Sequence, residues 1–305
     1  MKQMRFVLRL ARFHFLIPGF MLYLMGYLLA LLGGVEYDSA KFILGYLIFG
    51  TAHLSVSFSN DYFDRHSDRN SFKTAFSGGS KVLVEHPELE SLALKLAVLL
   101  LCSSIIANVF FTIVYGYTFW FFIFGLLGGL VGWFYTAPPL KLAYRGLGEL
   151  STILAVGFLM PGMGYFVASG TISPLFQAFI LPLSCYGLFF ITTVELPDVE
   201  SDIIGQKKNL LVKWGRTAGK AISVAATLTG TISIVALLLL ERTIEIIDLR
   251  PFIMFSILPL MASISGLLLN TKNRRHLVRQ IIINMTSIIL FLFFIDASLL
   301  FQYLW

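Results

Sequence analysis

Asn60, Asp64 and Asp68 stand at i, i+4 and i+8 in the run Asn60-Asp61-Tyr62-Phe63-Asp64-Arg65-His66-Ser67-Asp68. On a helix this spacing stacks one amide oxygen and two carboxylates on a single face. Asp198 and Asp202 repeat the i, i+4 carboxylate spacing, and each set ends a long apolar segment. Hard divalent cations prefer such oxygens, and Mg2+ takes few carboxylates and completes its shell with water and substrate phosphate. Two faces of this kind have the ligands for roughly two or three Mg2+ around one diphosphate. Asp61 points about 100° off the first face and ranks behind it. Glu195 and Glu200 flank the second set. The bland reading is solvated loop acids. Against it, the acids are scarce elsewhere and gather at span ends, and carboxylates at membrane depth are costly and default to function.

A diphosphate also calls for protein cations. Lys141 follows Pro138 and Pro139, which must break a helix, and Arg145 lies four residues on. Lys81 closes Ser77-Gly78-Gly79-Ser80-Lys81, a loop whose N–H groups and ammonium could cradle phosphate oxygens. It lacks the spacing of a P-loop. Arg69 and Lys73 lie between that loop and the first acidic run. Each of these cations also reads simply as a loop residue that sets orientation. His14, His53, His66, His86 and His276 form no metal pattern, and no Ser/His/Asp arrangement is visible. Cys102 and Cys185 sit in apolar runs as small hydrophobes.

The elements that must position these groups are membrane helices. Hydrophobic residues make up 57% of the 305 and charged residues 13%, with mean hydropathy +0.82. Soluble domains run near a quarter charged. Nine apolar segments lie near 15–33, 42–59, 91–114, 118–135, 150–169, 174–194, 219–240, 251–270 and 281–304. They predict one all-α domain over 1–305, a polytopic bundle around a central cavity. The basic stretch at the N-terminus is not followed by a signal cleavage site.

The net charge of +6 does not point to nucleic acid, because of where the charges lie. Of the 23 Lys and Arg, 19 fall in the N-terminus and the four alternate connections 60–90, 136–149, 195–218 and 271–280, with Lys220 just past 218 counted in and Lys95 left at the start of the third segment. Lys41, Arg242 and Arg250 fall on the other side. The positive-inside rule then places the N-terminus and both acidic motifs in the cytoplasm, and nine spans place the C-terminus outside. The loops 60–90 and 195–218 are positioned to cap a site.

These motifs closely resemble those of the UbiA superfamily of intramembrane prenyltransferases. Asn60 to Asp68 matches the family's first NxxxDxxxD motif, and Asp198 to Asp202 its second, DxxxD. Tyr135 to Lys141 resembles the family's tyrosine–lysine loop, with two extra residues over the common YxxxK. The runs Phe76 to Leu83 and Tyr135 to Glu149 resemble the menaquinone-type branch, whose members prenylate 1,4-dihydroxy-2-naphthoate. The resemblance implies an enzyme of the cell membrane, with its site facing the cytoplasm. That enzyme transfers an isoprenyl chain from an allylic diphosphate to an aromatic acceptor, with Mg2+ as cofactor and no obligatory protein partner. It implies metal ligation by Asn60, Asp64, Asp68, Asp198 and Asp202. It implies catalysis by those four aspartates with Lys141, and substrate binding by Asn60, Lys81, Tyr135 and Lys141, to which the loop positions of Arg69 and Arg145 add two further candidate cations. Two rival readings stand beside it. One is prenyl transfer to a non-quinone acceptor such as a glycerol-phosphate lipid. The other is a cation transporter using the acids as a metal site, although a transporter would place its charges near mid-span.

Overall fold

Apolar runs of about twenty residues leave a backbone in lipid one way to pair its N–H and C=O groups within a single segment, the α-helix. The computed structural model follows that rule. It describes residues 2–69, 71–74, 76–240, 246–269 and 273–305, and among them there is helix and no strand. Arg242 and Lys272, both used in the charge count, lie outside the described residues.

A short basic helix, α1 (Lys2–Ala11), leads through a left-handed Arg12 into α2 (Leu16–Leu32). α3 (Ser39–Asp68) runs unbroken for 30 residues, its first turn capped by Asp38, which accepts from the N–H groups of Ala40 and Lys41. α4 (Val82–Glu85), α5 (Glu90–Val114) and α6 (Phe119–Trp133) follow. α7 (Gly148–Leu154) and α8 (Met160–Ser169) form one span joined by a wide π turn over Ala155–Leu159, just before Pro161. α9 (Pro174–Glu195) and the short α10 (Val199–Ile204) carry the second acidic set. α11 (Leu210–Leu240) bends at Gly215, and α12 (Arg250–Leu268) and α13 (Arg274–Leu304) complete the bundle.

Eight of these stretches are long and apolar enough to cross a membrane, so the protein is a polytopic membrane protein. The fourth apolar segment makes a shorter helix, the 15-residue α6. It stops ahead of Pro138 and Pro139, which cannot continue it. α11 and α13 both start several residues earlier than hydropathy suggests, because Lys213, Arg216 and Lys220 in α11 and Arg274, Arg275 and Arg279 in α13 interrupt the apolar run.

The helices close into a ring. α3 packs on α2, α6 and α8; α9 packs on α7 and α11; α11, α12 and α13 follow in order, and α13 returns to α2. α5 lies outside α3 and exposes Leu99, Ile106 and Ile113, as a lipid-facing helix should. The tightest crossing is α2 on α8. There a Cβ at Gly26 would collide with the Pro161 carbonyl, and one at Gly164 with that of Tyr23. Without a hydrophobic driving force between helices in lipid, such small-residue contacts are a main source of packing. The large buried cluster formed by α2, α8, α9 and α13 holds the ring together around an internal cavity.

Candidate active site

The cavity has a volume of about 370 Å³ and two unlike ends. At the loop end its walls carry Asn60, Asp61, Asp64, Asp68, Glu195, Asp198, Asp202 and Lys207. Deeper between the helices they are Leu22, Phe49, Phe124, Met163, Leu183, Tyr186 and Phe291. The five metal ligands expected from the sequence therefore meet at one end of one cavity.

The first set is built by helix geometry. Because α3 stays helical to Asp68, Asn60, Asp64 and Asp68 rise on one face, as their spacing predicts. Thr136 donates to Asn60 Oδ1 at 2.8 Å, and the Tyr144 hydroxyl donates to Asp64 Oδ1 at 2.7 Å. Burial and the Asp64 charge push the Tyr144 phenol up, which keeps it a donor. The second set is built by a break. α9 ends at Glu195, and α10 starts after Pro197, so Asp198 sits in the turn and Asp202 on the short helix. Asn209 Nδ2 donates to Asp202 Oδ2 at 2.7 Å, and the Gly78 N–H donates to Asp198 Oδ2 at 3.2 Å. Burial, and then Asp202 beside it, pushes the Asp198 carboxyl up to about 7.

One ammonium joins the two sets. Lys207 Nζ is 2.9 Å from Asp64 Oδ2 and 3.6 Å from Asp202 Oδ1, with its side chain only 16% exposed. Burial alone would lower its pKa, but Asp64 and then Asp202 outweigh it and hold the group charged. Among the described residues, six carboxylates line the cavity against two cations, Arg12 and Lys207. Asp61 Oδ2, Glu195 Oε2 and Asp198 Oδ1 are buried with no hydrogen-bond partner. Surplus negative charge and orphaned oxygens are what a site for divalent cations presents in their absence. Among the described residues no three acidic, histidine or cysteine side chains hold a metal ion unaided.

The glycine loop closes over the acids. Gly78 and Gly79 have φ of 78° and 66°, a left-handed conformation cheap only for glycine. A Cβ at Gly79 would collide with the Asp68 carboxylate. The loop's N–H groups are turned toward acids: besides Gly78 to Asp198, Ser80 N donates to Asp61 Oδ1 at 3.3 Å. Arg12 faces the same Asp61 oxygen at 3.9 Å. Asp61, ranked off the first face, is thus only 4% exposed and lines the cavity.

Four expected substrate cations stand elsewhere. Lys81 does not line the cavity. Its ammonium donates to the carbonyls of Asp68 and Ser71 and to the Ser71 hydroxyl, which fastens the loop from behind. Lys141 is exposed at the left-handed end of the proline turn, its Nζ 5.4 Å from the Tyr144 ring. Arg145 is exposed and donates to the Pro139 carbonyl at 2.9 Å. Arg69 is exposed at the end of α3. Tyr135 does line the cavity. Lys207 was counted in the sequence only as an orienting charge. Its one distinguishing signal was its place five residues after Asp202.

The model of the UbiA prenyltransferase family matches residues 19–295. The 1,4-dihydroxy-2-naphthoate octaprenyltransferase of Bacillus subtilis (strain 168) is 23% identical over 231 residues, covering 76% of this chain and 73% of that one. A UbiA homolog from Archaeoglobus fulgidus, solved with GPP and Mg2+, superposes with TM-score 0.62 at 17% identity over 96% of this chain and 99% of its own. A structure of digeranylgeranylglyceryl phosphate synthase gives TM-score 0.64 at 16% identity over 98% and 99%. These structural likenesses show the fold.

Proposed function

The chain belongs to the UbiA prenyltransferase family, and from that premise we propose that it transfers an isoprenyl chain from an allylic diphosphate to an aromatic acceptor of the dihydroxynaphthoate class. The observation that carries the reading is the two-ended cavity, acids and an ammonium at one end and aliphatic and aromatic walls at the other. A prenyl diphosphate is divided in the same way. Its tail gains ~0.8 kcal/mol per methylene on leaving water.

Asn60, Asp64, Asp68, Asp198 and Asp202 would hold Mg2+, and the bound ion supplies positive charge against the departing diphosphate. Mg2+ appears with GPP in the Archaeoglobus fulgidus homolog, which supports the assignment. Lys207 adds a fixed cation where the two sets meet. Lys81 supports the glycine loop, while Arg69, Lys141 and Arg145 form an exposed basic rim that draws an anionic substrate to the mouth. As the C–O bond ionises, an allylic cation forms beside the ring of Tyr135, and each aromatic face there is worth ~0.5–2 kcal/mol. The glycine loop and α10, tied by the Gly78–Asp198 bond, keep water from that cation. A ring carbon of the acceptor then attacks. That carbon loses its proton or, where it carries the carboxylate of a hydroxynaphthoate, carbon dioxide. We read the chain as one domain over 1–305, with the N-terminus and the site cytoplasmic and the C-terminus outside.

The test is transfer from radiolabelled geranylgeranyl diphosphate by the purified protein in lipid vesicles, with and without Mg2+, across a panel of acceptors. The expected result is a prenylated dihydroxynaphthoate product formed only with Mg2+. Transfer to glycerol phosphate in preference to every aromatic acceptor would overturn the acceptor class. Absence of any transfer would overturn the whole reading.

A further inference from the structure

His53 lies on α3 seven residues before Asn60, about 10 Å down the helix from that amide at 1.5 Å per residue. It lines the cavity at the boundary between the acidic chamber and the apolar groove, with Gly19, Phe49, Ala52 and Val56 around it. Its ring is tilted against that of Phe49, centroids 5.5 Å apart. The chemistry described above does not use it.

The two ring nitrogens are in different situations. Nδ1 is buried without a hydrogen-bond partner, pressed toward α2 where Gly19 leaves room. A Cβ on Gly19 would stand 2.6 Å from His53 Nδ1 and Cε1. A buried nitrogen with nothing to donate to is cheapest as the bare acceptor, so the proton of a neutral imidazole belongs on Nε2. Nε2 is not among the buried, unpartnered atoms. His53 lines the cavity and its ring meets Gly19 and Phe49, neither of which carries a polar side-chain atom, so the N–H belongs to an apolar stretch of the wall. An uncharged donor in such surroundings suits an oxygen on a flat, mainly apolar molecule.

We propose that His53 Nε2–H binds an oxygen substituent of the aromatic acceptor and so fixes which ring carbon faces the allylic carbon. This rests on the prenyl-transfer reading above and names one of its acceptor contacts. The prenyl diphosphate has its oxygens at the acidic end and owes nothing to His53.

The experiment compares the wild-type protein with His53→Leu and His53→Gln in vesicles, measuring KM for 1,4-dihydroxy-2-naphthoate and for geranylgeranyl diphosphate separately. His53→Leu is expected to raise the acceptor KM by roughly 10- to 100-fold, the effect of an unmatched buried polar group. The diphosphate KM should stay within about twofold, because that substrate makes no polar contact here. His53→Gln, which keeps an N–H donor, should recover most of the loss. Direct binding of radiolabelled geranylgeranyl diphosphate to His53→Leu checks that the cavity is intact. If binding is intact and the acceptor KM is unchanged, or if both KM values rise together, the inference fails while prenyl transfer stands. If the wild-type protein prenylates no aromatic acceptor, the reading itself has failed and the inference falls with it.

Discussion

Asn60, Asp64 and Asp68 lie on one face of a helix that runs 30 residues without interruption, whereas Asp198 and Asp202 flank the start of a six-residue helix after a proline break. The first set inherits its geometry from the backbone. The second is held by side-chain and loop bonds from Asn209, Lys207 and Gly78, residues that belong to other segments. One half of the chamber is therefore rigid by construction, and the other is only as well placed as its distant supports. Loss of a support that touches the second set alone, such as Asn209, should fall on that half and spare the first.

The largest expected effects ignore that difference, because both halves supply ligands. Asp64→Asn and Asp198→Asn should each lower kcat/KM by about 10³-fold at saturating Mg2+ while the protein still inserts, in line with loss of a major electrostatic contact. Near-normal turnover in either variant would break the two-sided site. Lys207→Met comes next. It leaves Asp64 and Asp202 unpaired, so stability in chelator should fall by about 3–5 kcal/mol, the cost of breaking a buried ion pair. Added Mg2+ should then restore melting temperature more in the variant than in the wild type. No such difference would mean that the ammonium does not stand near a cation position.

The sharpest contrast is between two supports. Asn209→Ala should cost about tenfold in kcat/KM, near 1–1.5 kcal/mol, because Asp202 loses the amide that aims it. Thr136→Val removes a comparable bond to Asn60 yet should cost about threefold or less, since α3 holds Asn60 regardless. Equal losses in parallel kinetic assays would remove the distinction between the two halves. Smallest of all, Lys141→Ala and Arg145→Ala should each change kcat/KM by less than about threefold at moderate ionic strength, as expected of exposed rim charges. A hundredfold loss in Lys141→Ala would return that residue to the diphosphate.

What could be read from the sequence divides along the same line. Periodicity found the first set, because a helix that does not break turns spacing into position. Hydropathy finds nine segments and misses mainly helix starts interrupted by cations, Arg274 and Arg275 in α13 and Lys213 and Arg216 in α11. Asp61 was ranked low because the helix wheel places it off the face. It cannot show that Arg12 and the Ser80 N–H wrap that flank. Lys207 was illegible as a site residue because its partner Asp64 is 143 residues away in the chain. Lys141 and Arg145 drew attention through a shaped proline turn, and that turn aims them outward.

Order of synthesis gives the Lys207–Asp64 pair a further meaning. A chain emerging from the ribosome delivers α3, with its acids, long before residue 207 exists. For that interval the nascent protein holds Asp64 and Asp68 in an inserted helix with neither Lys207 nor the second acidic set to meet them. Their charge then has to be met by protons, by loose ions or by the translocation machinery. The N-terminal half is thus a membrane intermediate carrying an open acidic face, and the later arrival of one lysine completes it. A chain truncated at the 170–173 connection should accordingly be cleared by quality-control proteases faster than the full-length protein, and supplying residues 174–305 as a separate polypeptide should slow that clearance.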